Sequence, residues 1–98
     1  MLLTLLAAGA LVLEDTIPPT FGATCPAGVE LQAPEGEATV SNAQWDVPIA
    51  MDNVEVVAVT ATSQPGDTFS VFDSPKLVTY TARDSSNLLA TCKFEVCL

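Results

Sequence analysis

From Thr16 onward the chain carries no helical repeat of apolar residues. Short runs rich in valine and threonine alternate between apolar and polar positions instead. A period of two is typical of β-strands that bury one face. Seven prolines argue against long helices, and 98 residues suffice for one domain at most. The sequence therefore predicts a single all-β domain folded as an antiparallel β-sandwich.

Two stretches near the C-terminus alternate most regularly. Residues 77–83 and 91–98 are predicted to be strands that point Tyr80 and Phe94 into the core, and the Tyr80 hydroxyl is expected to bond a backbone group. The connection at residues 84–87 has the polar composition of a hairpin turn.

Three earlier stretches alternate less regularly. Residues 21–31 are apolar at odd positions, and Pro26 indicates an edge strand or a bulge there. Residues 38–45 change phase midway, which predicts a bulge near Ser41 and Asn42. Residues 54–62 are apolar at both phases, so their inward face stays unassigned.

The three cysteines are predicted to have unlike roles. Cys92 and Cys97 are five residues apart, so on one strand they face opposite sides. Cys92 shares the core face, and Cys25 lies on the apolar face of its own stretch. Two inward cysteines can approach within bonding distance. We therefore predict a Cys25–Cys92 disulfide, which leaves Cys97 as a free thiol or as a link to another chain.

The charge balance excludes several functions. Twelve acidic residues oppose three basic ones, for a net charge of −9. Nucleic acids and anionic membranes need a basic surface, so neither is an expected partner. The chain has no histidine, which removes Ser-His and Cys-His pairs and histidine-bound zinc. We predict no enzyme activity, no catalytic residue and no organic cofactor.

The first 13 residues contain no charged side chain. They are predicted to be a signal peptide, with Ala8-Gly9-Ala10 as its cleavage site, or the remnant of a preceding segment. The domain proper then spans residues 14–98. Both interpretations place the protein outside the cytosol, where disulfides persist, and no other segment is expected to enter a membrane.

Several short blocks resemble the HYR module, or hyalin repeat, in the order in which that family carries them. They are EDTIPP at residues 14–19, Cys25-Pro26, WDVPIAMDN at 45–53, PGDTF at 65–69, VTYTARD at 78–84 and CKFEV at 92–96. The resemblance covers about residues 14–98. It departs from the family pattern at Ser86, where glycine is usual, and at Cys97, where the family more often has a β-branched residue.

The resemblance implies an immunoglobulin-like sandwich that acts outside the cell in adhesion or protein contact, beside other modules of the same chain or with other extracellular proteins. Two alternatives stay open. The chain is a calcium-dependent spacer in a tandem array, or it is an accessory domain of a secreted enzyme.

A small set of polar residues and one tryptophan are the candidate site residues. In a sandwich, Asp15, Asp52, Asn53 and Asp84 are able to gather at one end, where oxygen ligands would suit calcium. The competing interpretation is that each of them caps its own turn. Trp45 is expected in the core.

Overall fold

A computed structural model describes the backbone of residues 2–5 and 11–98 and the side chains of residues 15–98. Within these residues the chain forms eight β-strands, two short 3-10 turns and no α-helix, which confirms the all-β prediction. The strands are β1 (Leu2–Leu5), β2 (Leu11–Glu14), β3 (Val29–Glu30), β4 (Thr39–Val40), β5 (Val56–Ala61), β6 (Phe69–Ser70), β7 (Lys76–Asp84) and β8 (Leu89–Cys97). None of the described residues lies in a helix that is long and apolar enough to cross a membrane.

Two sheets form the sandwich. The larger has the strand order β3-β8-β7-β5, and the smaller pairs β4 with β6. β5, β7 and β8 pair antiparallel, but β3 runs parallel to β8. The larger sheet is therefore mixed, which departs from the fully antiparallel sandwich expected. β1 and β2 pair with each other as a separate two-stranded hairpin, and the predicted cleavage site at residues 8–10 lies outside the described residues.

The two late strands follow the predicted alternation. β7 and β8 pair over most of their length, with Val78 opposite Phe94 and Tyr80 opposite Cys92. These four residues are buried, while their neighbours on both strands are less so. The connecting turn closes with Asn87 at φ 65°, a left-handed conformation that asparagine tolerates.

The early stretches differ from the prediction. Of residues 21–31 only Val29–Glu30 form a strand, and Gly22–Thr24 form a 3-10 turn that begins at a glycine with φ 56°. The phase change after Val40 is the end of β4 and not a bulge within a strand, because Asn42 turns the chain with φ 55°. In both stretches the alternation of apolar and polar residues therefore predicted a longer strand than the structure contains.

The structure explains why residues 54–62 are apolar at both phases of the alternation. β5 contains a register shift between Val56 and Ala58 in its pairing with β7. A bulge moves the following side chains to the other phase. β5 also ends the order of strands in its sheet, and Val57 and Val59 remain exposed.

Aromatic rings from both sheets meet in the core. The Trp45 ring contacts Phe69 and Phe94 edge-on, each at 5.8 Å between centroids. Tyr80 stacks on Phe94 at 6.1 Å. The Trp45 indole N–H donates to the Tyr80 hydroxyl at 2.9 Å, so this hydroxyl has a side-chain partner where a backbone partner was expected. Tyr80 and Phe94 are buried, and Trp45 is half-buried against them.

The predicted disulfide is present. Cys25 and Cys92 are bonded, with their Cα atoms 5.7 Å apart. The bond ties the segment before β3 to the centre of β8. Cys97 is a half-buried free cysteine at the end of β8.

Candidate functional site

Three aspartates that are far apart in sequence each begin a turn. Asp15 directly follows β2, Asp52 ends the extended segment that leads to β5, and Asp84 is the last residue of β7. A backbone bridge between Thr20 and Met51 holds the first two segments side by side. Entry segment, loop and hairpin thus meet at one end of the sandwich.

Each of these carboxylates caps its own turn. The Asp15 Oδ1 atom accepts the Ile17 N–H at 2.9 Å. The Asp52 Oδ2 atom accepts two backbone N–H groups, at 3.0 and 3.2 Å. The Asp84 Oδ1 atom also accepts two, both at 2.9 Å, from the hairpin that it opens. The turn-capping interpretation is therefore correct for one oxygen of each residue.

The second oxygen of each carboxylate is in a different environment. Asp15 Oδ2, Asp52 Oδ1 and Asp84 Oδ2 are buried and have no hydrogen-bond partner. As a residue, Asp84 is 0% exposed and Asp15 is 6% exposed. Buried polar oxygens nearly always have partners, so three orphans together need an explanation.

The three carboxylates converge. Each supplies an oxygen atom, and these atoms lie within 4.8 Å of one another. We call Asp15, Asp52 and Asp84 the acid triad. Asn53, the fourth predicted member, is exposed and lies in the bend that follows Asp52.

Basic side chains of the chain are engaged or directed elsewhere. Arg83 donates to the Asn87 side chain at 2.9 Å. Lys76 lies over the Phe69 ring, 5.4 Å from its centroid. Lys93 is exposed beside buried Cys92 on β8. The negative charge of the acid triad therefore has no protein cation among the described residues to offset it.

Burial raises the pKa of Asp15 above its usual 3.8, and its neighbours Asp84 and Asp52 raise it further. The N–H of Ile17 opposes this shift by stabilising the carboxylate. Like charges this close cannot all be ionised without a counter-charge. The acid triad is thus able to hold a shared proton or a hard cation, and both are bound through oxygen.

A second feature lies on the segment that leads into the acid triad. Pro48, Ala50 and Asp52 point inward, whereas the alternate side chains Val47, Ile49 and Met51 are 50%, 61% and 70% exposed. We call these three exposed side chains the apolar row. The sequence identifies residues 45–53 only as a block that resembles the family. Their alternation is the signal that would have revealed the row.

A groove of about 500 Å³ borders the apolar row. Trp45, Asp46, Val47 and Ile49 form one side, and the segment from Ala23 to Val29 contributes to the other. None of the acid triad lines it. The apolar row and the groove form one continuous surface, separate from the buried carboxylates.

Comparison with protein families gave one clear result. The model of the family described as HYR domain matches residues 14–98. Comparison with curated proteins and with solved structures gave no significant match. The matched range contains the whole sandwich, the disulfide, the acid triad and the apolar row.

Proposed function

Because the chain belongs to the HYR domain family, whose members are extracellular repeat modules, we propose that it is a non-catalytic adhesion or interaction module of a secreted protein. The disulfide fits this setting, since such bonds persist outside the cytosol. Under this proposal the domain works by presenting a fixed surface to a partner.

The observation that carries the proposal is the apolar row. A chain of this size gains stability by burying apolar side chains, yet Val47, Ile49 and Met51 stand at least half exposed in succession. Single exposed apolar residues are common, but a continuous set beside a groove is typical of a binding surface.

The surroundings of the apolar row indicate the chemistry of the partner. Asp46 and Glu55 are exposed on either side of it, and the chain as a whole carries a charge of −9. We propose that the occupant is an extracellular protein, or a neighbouring module, with an extended apolar strip and basic residues on its flanks. Such charges would speed encounter and select the partner.

Adhesion of coated beads tests this function. Beads carrying the chain are expected to adhere to a basic matrix-protein surface more strongly than beads carrying serum albumin. Replacing all three row residues with serine should reduce the attached fraction at least tenfold. The matched control is Leu77→Ser with Leu89→Ser, which makes the same change at exposed positions of the larger sheet and should keep adhesion.

Two outcomes would contradict the proposal. In one, chain-coated beads adhere no better than albumin-coated beads. In the other, the row variant adheres as well as the unmodified chain while its circular dichroism shows an intact fold.

A second candidate function is a structural spacer that holds neighbouring modules in line. The acid triad favours it, because Asp15 lies where the chain enters the sandwich. A ligand bound there would fix the entering segment to the domain.

A further inference from the structure

We propose that Asp15, Asp52 and Asp84 bind one calcium ion, and that this ion ties the segment entering the sandwich to the β7–β8 hairpin. The site does not depend on the apolar row or on the adhesion function proposed above. The calcium site would remain if the adhesion function failed, and the adhesion function would remain if the site did not bind calcium.

The first argument is the set of orphan oxygens. In each residue of the triad, turn N–H groups occupy one carboxylate oxygen and the other is buried without a partner. Burying an unpaired carboxylate oxygen is unfavourable unless a ligand or cation meets it. Turn capping alone explains three of the six oxygens, and a bound cation explains the other three.

The second argument is charge. The described residues place no lysine or arginine at the triad, since Arg83 and Lys76 are engaged with Asn87 and Phe69. One divalent cation would offset most of the charge of three carboxylates. It would also explain why a domain this small places two buried aspartates beside a half-buried third.

Coordination chemistry favours calcium. Calcium binds oxygen at about 2.3–2.6 Å, so oxygens up to about 5 Å apart are able to reach one ion. One oxygen of each triad residue lies within 4.8 Å of the others, which is inside that span. Magnesium demands near-ideal octahedral geometry, whereas calcium accepts the irregular geometry that three separate turns impose.

The three turns supply fewer ligands than calcium takes, which is six to eight oxygens. The remaining positions are left to water and backbone carbonyls. Sites in extracellular modules typically bind calcium with a Kd of about 10⁻⁴ to 10⁻³ M. An affinity in this range suits a protein that meets millimolar calcium outside the cell.

Thermal melting of the full chain is the test. Protein stripped with EDTA and dialysed is melted with no metal, with 10 mM CaCl₂ and with 10 mM MgCl₂. At that excess over the expected Kd, calcium should raise the melting temperature by about 5–15 °C. Magnesium should raise it less, and calorimetric titration should show one calcium per chain.

The sharpest variant is Asp52→Asn, because its amide oxygen still accepts the two N–H groups of the turn. It removes one negative charge from the triad. We expect a higher melting temperature than the unmodified chain without metal and a lower one in calcium, so the order of the two proteins reverses. The matched control is Asp46→Asn, an exposed aspartate outside the triad, which should respond to calcium as the unmodified chain does.

Hydrogen exchange tests whether the ion holds the entering segment against the β7–β8 hairpin. Calcium should slow amide exchange in residues 15–20 and 84–88 and leave residues 29–31 unchanged. The proposal is overturned if calcium neither shifts the melting temperature nor binds in the calorimeter. It is equally overturned if Asp52→Asn gains as much from calcium as the unmodified chain.

Discussion

Removing the disulfide tests how this small domain is held together. The perturbation is the double variant Cys25→Ala/Cys92→Ala, which opens a bond between residues 67 apart in sequence. Both sulfurs leave together, so no new free thiol is created. Cys97 is unchanged in this variant, and its own replacement supplies the control.

The expected cost follows from the length of the closed loop. On the chain-entropy model, opening a loop of this length lowers the free energy of unfolding by about 4 kcal/mol. Cys92 is 2% exposed, so the missing sulfur also leaves a small void that adds up to about 1 kcal/mol. The free energy of unfolding of a domain of this size is about 4–13 kcal/mol in total. The variant should therefore lose a large part of its stability.

Urea unfolding followed by Trp45 fluorescence measures the cost. With a slope of about 1–1.5 kcal/mol per molar urea, the midpoint should fall by about 3–5 M. The matched control, Cys97→Ala, should move it by less than about 0.5 M, because Cys97 is free at the end of a strand. A double variant that loses less than about 1 kcal/mol, or a control that loses as much, would refute the reasoning.

Three further predictions concern single groups. Tyr80→Phe removes the acceptor of the Trp45 N–H and should cost about 1 kcal/mol by urea unfolding; an unchanged midpoint would contradict this. The pKa of Asp15 is raised in the folded protein, so its ionised carboxyl opposes folding and metal-free protein should gain stability relative to Asp15→Asn as pH falls from 7 toward 4. A loss of stability relative to that variant over the same pH range would contradict this. Iodoacetamide should label Cys97 in the native protein and neither bonded cysteine, and mass spectrometry of non-reduced peptides checks this.

The strongest predictions from sequence concerned β7 and β8. Their alternation is regular because the two strands pair along most of their length and every second residue of this pair faces the core. The same parity argument gave the Cys25–Cys92 bond. Its premise holds for Cys92, which is buried on β8, but not for Cys25, which follows the 3-10 turn and lies in no strand.

Periodicity failed where a segment had few or no strand partners. Residues 21–31 alternate as a strand would, yet Gly22 and Pro26 lie in a 3-10 turn and its exit, and only two residues pair with β8. Tertiary contacts decide such segments, and the sequence does not contain them in local form.

The acid triad could be predicted in part. Turn chemistry placed Asp15, Asp52 and Asp84 at loop ends, and a sandwich offers one end at which they can meet. The sequence did not separate the half-buried Asp52 from the exposed Asn53, because their burial depends on how the turn before β5 packs against the sandwich. It also did not show that one oxygen of each carboxylate is left without a partner, since that follows from the closing of three separate turns.

A crystal structure grown in 10 mM CaCl₂ tests the central claim most directly. The account predicts a single anomalous peak about 2.3–2.6 Å from oxygens of Asp15, Asp52 and Asp84, with the turn hydrogen bonds unchanged. A map with no ion there and two of the carboxyls sharing a proton through a short oxygen–oxygen contact would contradict it.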